Sequence, residues 1–380
     1  MSTEPLVPLP AEGLPAPSVI QRAVETLAQG GFVGLPTETV YGLAARADDA
    51  DARSRLVLLK GSEGSRPFTL HVGSVDGLAE AAALPGIVGR LTSRYWPGPL
   101  TLVLQARTID RSGEDGEAAR SNRWHVGLTA LASDGWTGVR APAHAATAAI
   151  LKAAPFPVLM TSANLAGDPP ALAAATLREQ FSAEDVPMVL DGGEATIGEA
   201  STVLAVGPGR FEVLREGIVS TDELRRVGGR KILFVCTGNT CRSPMAEALA
   251  RHGLRAALGV QDEGHFGFEV ASAGVYAGPG APASPHSVQA MADREIDLSE
   301  HASRPVIDRE IAGYDRIYCL TESHRVALLS VLPPTAGDRV ELLDPNGRDV
   351  PDPYGGPLTV YRETADVIEA FIQARMAEWV

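Results

Sequence analysis

The 380-residue chain is 45% hydrophobic and 21% charged, the balance of a globular protein and not of a disordered one. Its 39 glycines and 28 prolines show no G-X-Y period, which excludes a collagen-like fibre. No apolar run approaches the ~18 residues of a membrane span. Three cysteines cannot make a disulfide scaffold, and the first 21 residues hold no Lys or Arg that would open a secretory signal. A soluble chain in a reducing cytoplasm is expected. The net charge of −14 divides evenly: residues 1–228 carry 19 basic against 26 acidic side chains, residues 229–380 carry 14 against 21. Neither half has the basic excess needed for strong nucleic-acid binding. The length suits two domains.

In chain order, residues 1–17 are proline-rich without apolar periodicity and read as a loose arm. From 18 to 226 strand and helix character alternate. GFVGLPTETVYGL is a strand running into a loop, LTLVLQA (100–106) a buried strand, and PVLMTSAN (157–164) a strand ending in a polar loop. The polar, aperiodic block 107–125 reads as an exposed insertion. Ser220 opens a helix with Glu223 three residues on, and Gly228-Gly229 ends it as C-cap and hinge, making 227–230 a linker. A new pattern starts at Lys231: strand KILFVC, a polar loop, then a helix with Pro244 at its first position. Strands FEVASA (268–273), RIYCL (316–320) and VELL (340–343) follow, and a long helix ends the chain. The fold class is α/β throughout, with a doubly wound parallel sheet expected over 231–380.

The informative stretch is VCTGNTCRSPMAE (235–247). A loop between a strand and a helix N-terminus binds a phosphate-like dianion on free backbone N–H groups. The same field favours a Cys236 thiolate, hence a nucleophile. Arg242 supplies a planar fork for two phosphoryl oxygens, and Ser243 a hydroxyl for the sulfur. Gly238 and Asn239 suit the positive φ of a tight anion-cradling turn. Thr237, Thr240 and Cys241 complete the loop. This segment resembles the phosphate loop of the low-molecular-weight protein phosphatases. The resemblance extends over 230–380 and includes Ser272-Ala273-Gly274. It implies that Asp352, in Asp352-Pro353-Tyr354, is the general acid, with Asp344 and Asp349 as competitors in the same segment. Thr240 and Tyr354 then form the leaving-group pocket. The run CTGNTCRSPMAE with DPYGG is most similar to bacterial members acting on protein phosphoarginine, which is favoured over phosphotyrosine. Arsenate reduction on the same fold is a weaker alternative, because it needs a cysteine relay. Cys319 reads as a core residue, and Cys241 as a partner for a protective disulfide with Cys236.

The N-terminal motifs are softer singly: LPTETVYGL, Lys60, RPFTLHV, GVRAPAH, TSANLAG, STVL and LREG. Together they put polar groups at strand ends, where a polyanion site would assemble. The ordered set is similar to the YrdC/Sua5 family over 18–225. That resemblance implies a twisted mixed-sheet α/β domain making threonylcarbamoyl-adenylate from L-threonine, bicarbonate and ATP, with Mg2+ accompanying the ATP. The product serves the threonylcarbamoyl modification of tRNA adenosine 37, through possible tRNA-modification partner proteins. It further implies that Lys60 neutralises phosphate or carbamate charge, that Ser162 and Asn164 bind the nucleotide end, and that Arg140 holds phosphates. Thr37, Tyr41, His71, Ser201 and Arg215 would frame the threonine and adenylate pocket. One departure stands out. The family's Lys-x-Arg is Lys60-Gly61-Ser62 here, with Arg66 the nearest replacement, so a nucleotide-sensing domain without synthase activity is the alternative.

Overall fold

The computed structural model of the chain describes residues 6–10, 13–61, 67–75, 78, 82, 86–106, 122–207, 209–307 and 311–380. Tertiary contacts divide it into two compact units: Met1–Gly207 with Phe211–Leu224, and Pro208–Arg210 with Arg225–Val380.

The first unit is a mixed sheet of ten strands with helices packed on it. Its strands are β1 (Val7–Pro8), β2 (Val33–Leu35), β3 (Gly42–Arg46), β4 (Thr69–His71), β5 (Leu100–Gln105), β6 (Trp136–Arg140), β7 (Val158–Ser162), β8 (Met188–Asp191), β9 (Thr202–Gly207) and β10 (Arg210–Arg215). Their spatial order is β1-β8-β2-β3-β7-β4-β6-β5-β9-β10. The helices are α1 (Pro17–Ala28), α2 (Ala50–Leu59), α3 (Gly86–Tyr95), α4 (Arg123–Ala130), α5 (Ala145–Ala153), α6 (Ala174–Gln180) and the first half of α7 (Thr221–Gly228), whose residues from Arg225 on belong to the second unit. Strand β7 runs antiparallel to both β3 and β4, pairing Ser162 with Gly42 and Val158 with His71. Strands β4 and β6 are parallel, and their register sets His71 beside Arg140.

Local chemistry explains the places where this unit departs from expectation. The supposed loose arm contains β1, because Val7 and Leu9 pack against the Val33, Leu35 and Leu190 core and Leu9 N donates to Asp191 O at 2.9 Å. Within the polar block 107–125, residues 107–121 lie outside the described residues. Its end is not an exposed insertion: the Asn122 side chain accepts from Trp124 N and His125 N, starting α4 and burying Trp124. Ser220 Oγ does accept from Glu223 N, opening α7.

The second unit has strands β11 (Lys231–Cys236), β12 (Glu269–Gly274), β13 (Arg316–Cys319) and β14 (Val340–Leu342), and helices α8 (Arg242–Leu258), α9 (Pro285–Ala292), α10 (Glu322–Leu329) and α11 (Leu358–Trp379). The sheet order is β12-β11-β13-β14, with every pair parallel. Successive residues of β11 serve opposite faces. Leu233 and Val235 join Ile317 and Leu328 in one cluster, while Phe234 meets the rings of Tyr318 and Trp379. The chain leaves β11 to β12 on one side and then crosses to β13 on the other. The end of β11 is therefore the switch point, where parallel sheets place their ligands.

Two details correct the sequence reading. Helix α8 starts at Arg242, so Pro244 is its third residue; its missing N–H costs nothing there, since the first four have no helical acceptor. The Gly228-Gly229 segment is packed within the second unit. Gly229 N donates to Arg225 O at 2.8 Å, and a Cβ on Gly229 would fall 1.9 Å from Gly267 O. No helix among the described residues is long and apolar enough to cross a membrane.

Candidate active sites

In the second unit the loop after β11 folds around the sulfur of Cys236, which is 3% exposed. Ser243 Oγ lies 2.9 Å from Sγ, and Asn239 N donates to Sγ at 3.3 Å. Asn239 takes the left-handed conformation (φ +54°), whereas Gly238 does not, so only one of the two expected turn residues has positive φ. The Asn239 amide holds the loop from inside, donating to Ser243 Oγ at 3.0 Å and Ser272 Oγ at 2.9 Å. Ser272 Oγ in turn donates to Glu247 Oε2, and Arg304 N to Asn239 Oδ1. The loop lies flat on the end of β12: a Cβ on Gly274 would come 2.5 Å from Thr237 O and 2.9 Å from Asn239 N. Glycine is required at that position by close approach. Thr240 is half-buried, with its hydroxyl 3.7 Å from Cys241 Sγ and its carbonyl accepting from Ser284 N.

Arg242, buried at the start of α8, pairs through Nη2 with Asp352 Oδ2 at 2.9 Å and donates through Nη1 to Val350 O. Asp352 is more than half exposed and accepts from Tyr354 N, while the Tyr354 side chain is 82% exposed. The competing carboxylates are occupied. Asp344 is buried, which alone would raise its pKa. Hydrogen bonds from the Arg348 guanidinium and from Asn346 N and Arg348 N outweigh this and hold it below the usual carboxylate range. Asp349 accepts from Glu322 N at 2.7 Å at the head of α10. Of the three, Asp352 is the carboxylate that faces Arg242. Cys319 is wholly buried and its thiol is pushed up to about 12 by burial, as befits a core residue. Cys241 Sγ sits 3.6 Å from the Tyr361 hydroxyl, and all three cysteines are free.

The first unit gathers its candidate residues in clusters. Lys60 Nζ donates to Ser162 O at 2.5 Å and to Asn164 Oδ1 at 3.4 Å, and Ser162 Oγ donates to the same Asn164 oxygen. Arg140 Nη2 reaches Glu38 Oε1 at 2.5 Å and Thr39 Oγ1 at 2.8 Å, and Nε reaches Gly98 O. Thr37 Oγ1 accepts from Thr39 N and Val40 N, shaping the same loop. His71 is fully buried, so burial first and the Arg140 charge second depress its pKa to about 3; Nδ1 faces Thr69 O. Tyr41 OH donates to Gly193 O and accepts from Gly192 N, and burial raises its pKa. Arg215 donates twice to Ser201 O, and Ser201 Oγ pairs with Thr101 at 2.9 Å. Arg66 lies outside the described residues.

Sequence reasoning missed Glu38 and His324. Glu38 joins three segments: besides the Arg140 pair, its carboxylate accepts from Ala143 N and its carbonyl from Ile197 N. The T-E-T run inside LPTETVYGL was the available signal, because an acidic residue in a buried loop needs a cation. His324 lies far along the chain from the phosphate loop, and no local pattern marks it.

A cysteine cradled at a parallel-sheet switch point, with an arginine at the following helix start, is an arrangement that can hold a phosphoryl group. It accompanies a larger mixed-sheet α/β unit rich in strand-end polar clusters. A family model for Sua5, YciO and YrdC proteins, described as telomere recombination, matches residues 25–217. A second, described as low molecular weight phosphotyrosine protein phosphatase, matches residues 231–378. The chain belongs to the Sua5/YrdC family through its N-terminal domain and to the low-molecular-weight phosphatase family through its C-terminal domain. Among curated relatives, the threonylcarbamoyl-AMP synthase of Pyrococcus abyssi is 33% identical over 55% of this chain and 57% of that protein. The synthase of Xanthomonas campestris is 32% identical over 52% of this chain and 97% of that protein. The protein-arginine-phosphatase of Bacillus subtilis is 35% identical over 37% of this chain and 91% of its own length. The chain thus spans little more than half of the Pyrococcus relative. The relatives of both domains are enzymes.

Proposed function

We propose that the chain is a bifunctional cytoplasmic enzyme: a threonylcarbamoyl-adenylate synthase joined to a cysteine-dependent phosphatase acting on protein phosphoarginine. The observation that carries the phosphatase half is the loop built on Cys236, Asn239, Arg242 and Ser243 with Asp352 at its mouth. Cys236 attacks phosphorus as the P–N or P–O bond breaks, and Asp352 delivers a proton to the leaving group. The phosphocysteine is then hydrolysed by a water that gives its proton back to Asp352. Arg242 leaves Asp352 to hold two phosphoryl oxygens, so substrate entry frees the acid as it engages the fork. Thr240, polar and small, leaves room for a guanidinium, which favours phosphoarginine over phosphotyrosine. Arsenate reduction gains no support, because Cys319 is locked in the core as a thiol.

For the synthase half, the L-threonine amine attacks bicarbonate with loss of water to form a carbamate, whose oxygen then attacks the α-phosphorus of ATP and expels pyrophosphate. Lys60, Ser162 and Asn164 would hold the nucleotide end. Arg140, bonded to Thr39 and lying beside His71 in the strand register, would hold phosphate oxygens. Orientation and cationic screening carry this reaction. Among the described residues no three His, Cys, Asp or Glu side chains converge as metal ligands, so Mg2+ would arrive on ATP oxygens and water. The product would pass to partner proteins that modify tRNA. ATP–pyrophosphate exchange requiring both threonine and bicarbonate tests this half. ATP binding without exchange would leave a nucleotide sensor regulating the phosphatase.

A further inference from the structure

Resting on the phosphatase reading, we infer that His324 is a positioning residue, a neutral strut that fixes the phosphate loop relative to the segment bearing the general acid. The imidazole is 4% exposed and bridges two hydroxyls, Nε2 to Thr237 Oγ1 and Nδ1 to Thr321 Oγ1, each at 2.8 Å. Thr237 is the residue after the nucleophile. Thr321 caps α10 by accepting from His324 N.

The same turn grips the acid segment from its other side. Glu322 N donates to Asp349 Oδ1, and Val350 N donates to Leu320 O at 2.8 Å. Val350 O accepts from Arg242, closing a ring that runs from the loop through His324 and residues 320–322 to 349–350 and back to Arg242. The nucleophile and the acid come from segments more than a hundred residues apart in sequence, and this ring sets the spacing between them.

Burial, then the nearby Arg242 charge, lowers the His324 pKa to about 4, against the opposing pull of Asp352 and Asp349. The imidazole therefore stays neutral at working pH, one nitrogen donating and the other accepting. A cation here would compete with Arg242 for Asp352. A neutral ring ties the hydroxyls together without adding charge beside the phosphoryl site.

A residue that only supports the fold would alter stability and leave the chemistry of surviving protein intact. A strut that sets the spacing between nucleophile and acid should lower kcat/KM for good and poor leaving groups both, because attack depends on that spacing as well as protonation. The test is His324→Ala and His324→Asn in the full chain, assayed on p-nitrophenyl phosphate and phenyl phosphate, with vanadate inhibition and thermal unfolding measured alongside. His324→Ala should lose at least tenfold in kcat/KM on both substrates, and vanadate should bind correspondingly weaker. Asn, which can also bridge two hydroxyls, should recover most of the loss. Normal kinetics and vanadate affinity in folded His324→Ala would overturn the strut. So would a loss confined to phenyl phosphate, which would place His324 in protonation. Wild-type chain that hydrolyses neither ester nor phosphoarginine would instead overturn the phosphatase reading and the strut with it.

Discussion

The two sites are built on opposite plans. The proposed phosphatase site is nearly complete within residues 236–243, where one loop would supply nucleophile, fork and hydroxyl, and a distant segment brings Asp352 to Arg242. The site in the first unit has no such nucleus. Its candidate cations are each held by partners from other segments: Lys60 by β7, Arg140 by Glu38 and Thr39, Arg215 by Ser201. A reaction that forms a covalent bond to the protein concentrates its chemistry around one atom. A reaction that only brings bound substrates together spreads orientation over many weak contacts. Removing one residue should therefore abolish the first activity and erode the second.

The sharpest test of that contrast is Cys236→Ser. A serine hydroxyl does not ionise in this loop, so kcat should fall by about four orders of magnitude or more while adenylate formation is untouched. Residual hydrolysis within tenfold of wild type would mean that Cys236 is not the nucleophile.

In the first unit the largest single effect belongs to Glu38. Its pair with Arg140 is buried on both sides, 7% and 12% exposed. Glu38→Ala would strand a buried guanidinium at a cost of about 3–5 kcal/mol, read from urea unfolding. Glu38→Gln keeps a hydrogen bond and should cost less. A loss below about 1 kcal/mol for Glu38→Ala would show that Arg140 rehydrates, and that the site is looser than its contacts imply.

How far the sequence disclosed these sites follows from the same contrast. Cys236, Arg242 and Ser243 were legible because strand, loop and helix are contiguous, so spacing alone implied geometry. Asp352 was legible only through family resemblance, since nothing local separates it from Asp344 and Asp349; the structure separates them by giving those two other bonds. Glu38 and His324 were not legible, because their partners Arg140 and Thr237 lie about a hundred or nearly a hundred residues away. Proline content misled at Val7–Pro8. A two-residue edge strand has no periodicity to show, and its pairing with β8 is decided by Val7 and Leu9 finding the core.

Two intermediate effects probe one group in each unit. Asp352→Asn should lose about 10²-fold or more in kcat/KM when the leaving group is poor, and under about tenfold for an acidic phenol. Equal losses on both would assign the proton to another residue. In the first unit, His71 stays neutral to about pH 3, while in the unfolded chain it titrates near its ordinary 6.5. Between those values the unfolded state binds a proton that the folded state does not. Stability therefore falls as pH drops through this window, by up to ~1.4 kcal/mol per pH unit for one proton. His71→Gln should flatten that acid limb, and an unchanged slope would mean that His71 protonates freely in the folded unit.

The smallest effect concerns what the phosphatase prefers, and it rests on Thr240. Phosphoarginine brings a basic guanidine leaving group whose charge can meet Asp352, whereas phosphotyrosine brings a flat ring that favours an aliphatic wall. Thr240 is half-buried beside Cys241, and its carbonyl is anchored by Ser284 N, so its side chain can be exchanged without unseating the loop. Thr240→Ile adds apolar surface and removes a hydroxyl at one wall. The ratio of kcat/KM for phosphotyrosine over phosphoarginine should rise by ~1–2 kcal/mol, the usual worth of one pocket contact. The change should appear in the ratio and not as a common loss, because the nucleophile and its hydrogen bonds are untouched. If wild type already prefers phosphotyrosine and Thr240→Ile leaves the ratio where it was, Thr240 only packs the loop and the arginine assignment fails. The nucleophile and acid would stand, since neither depends on that wall.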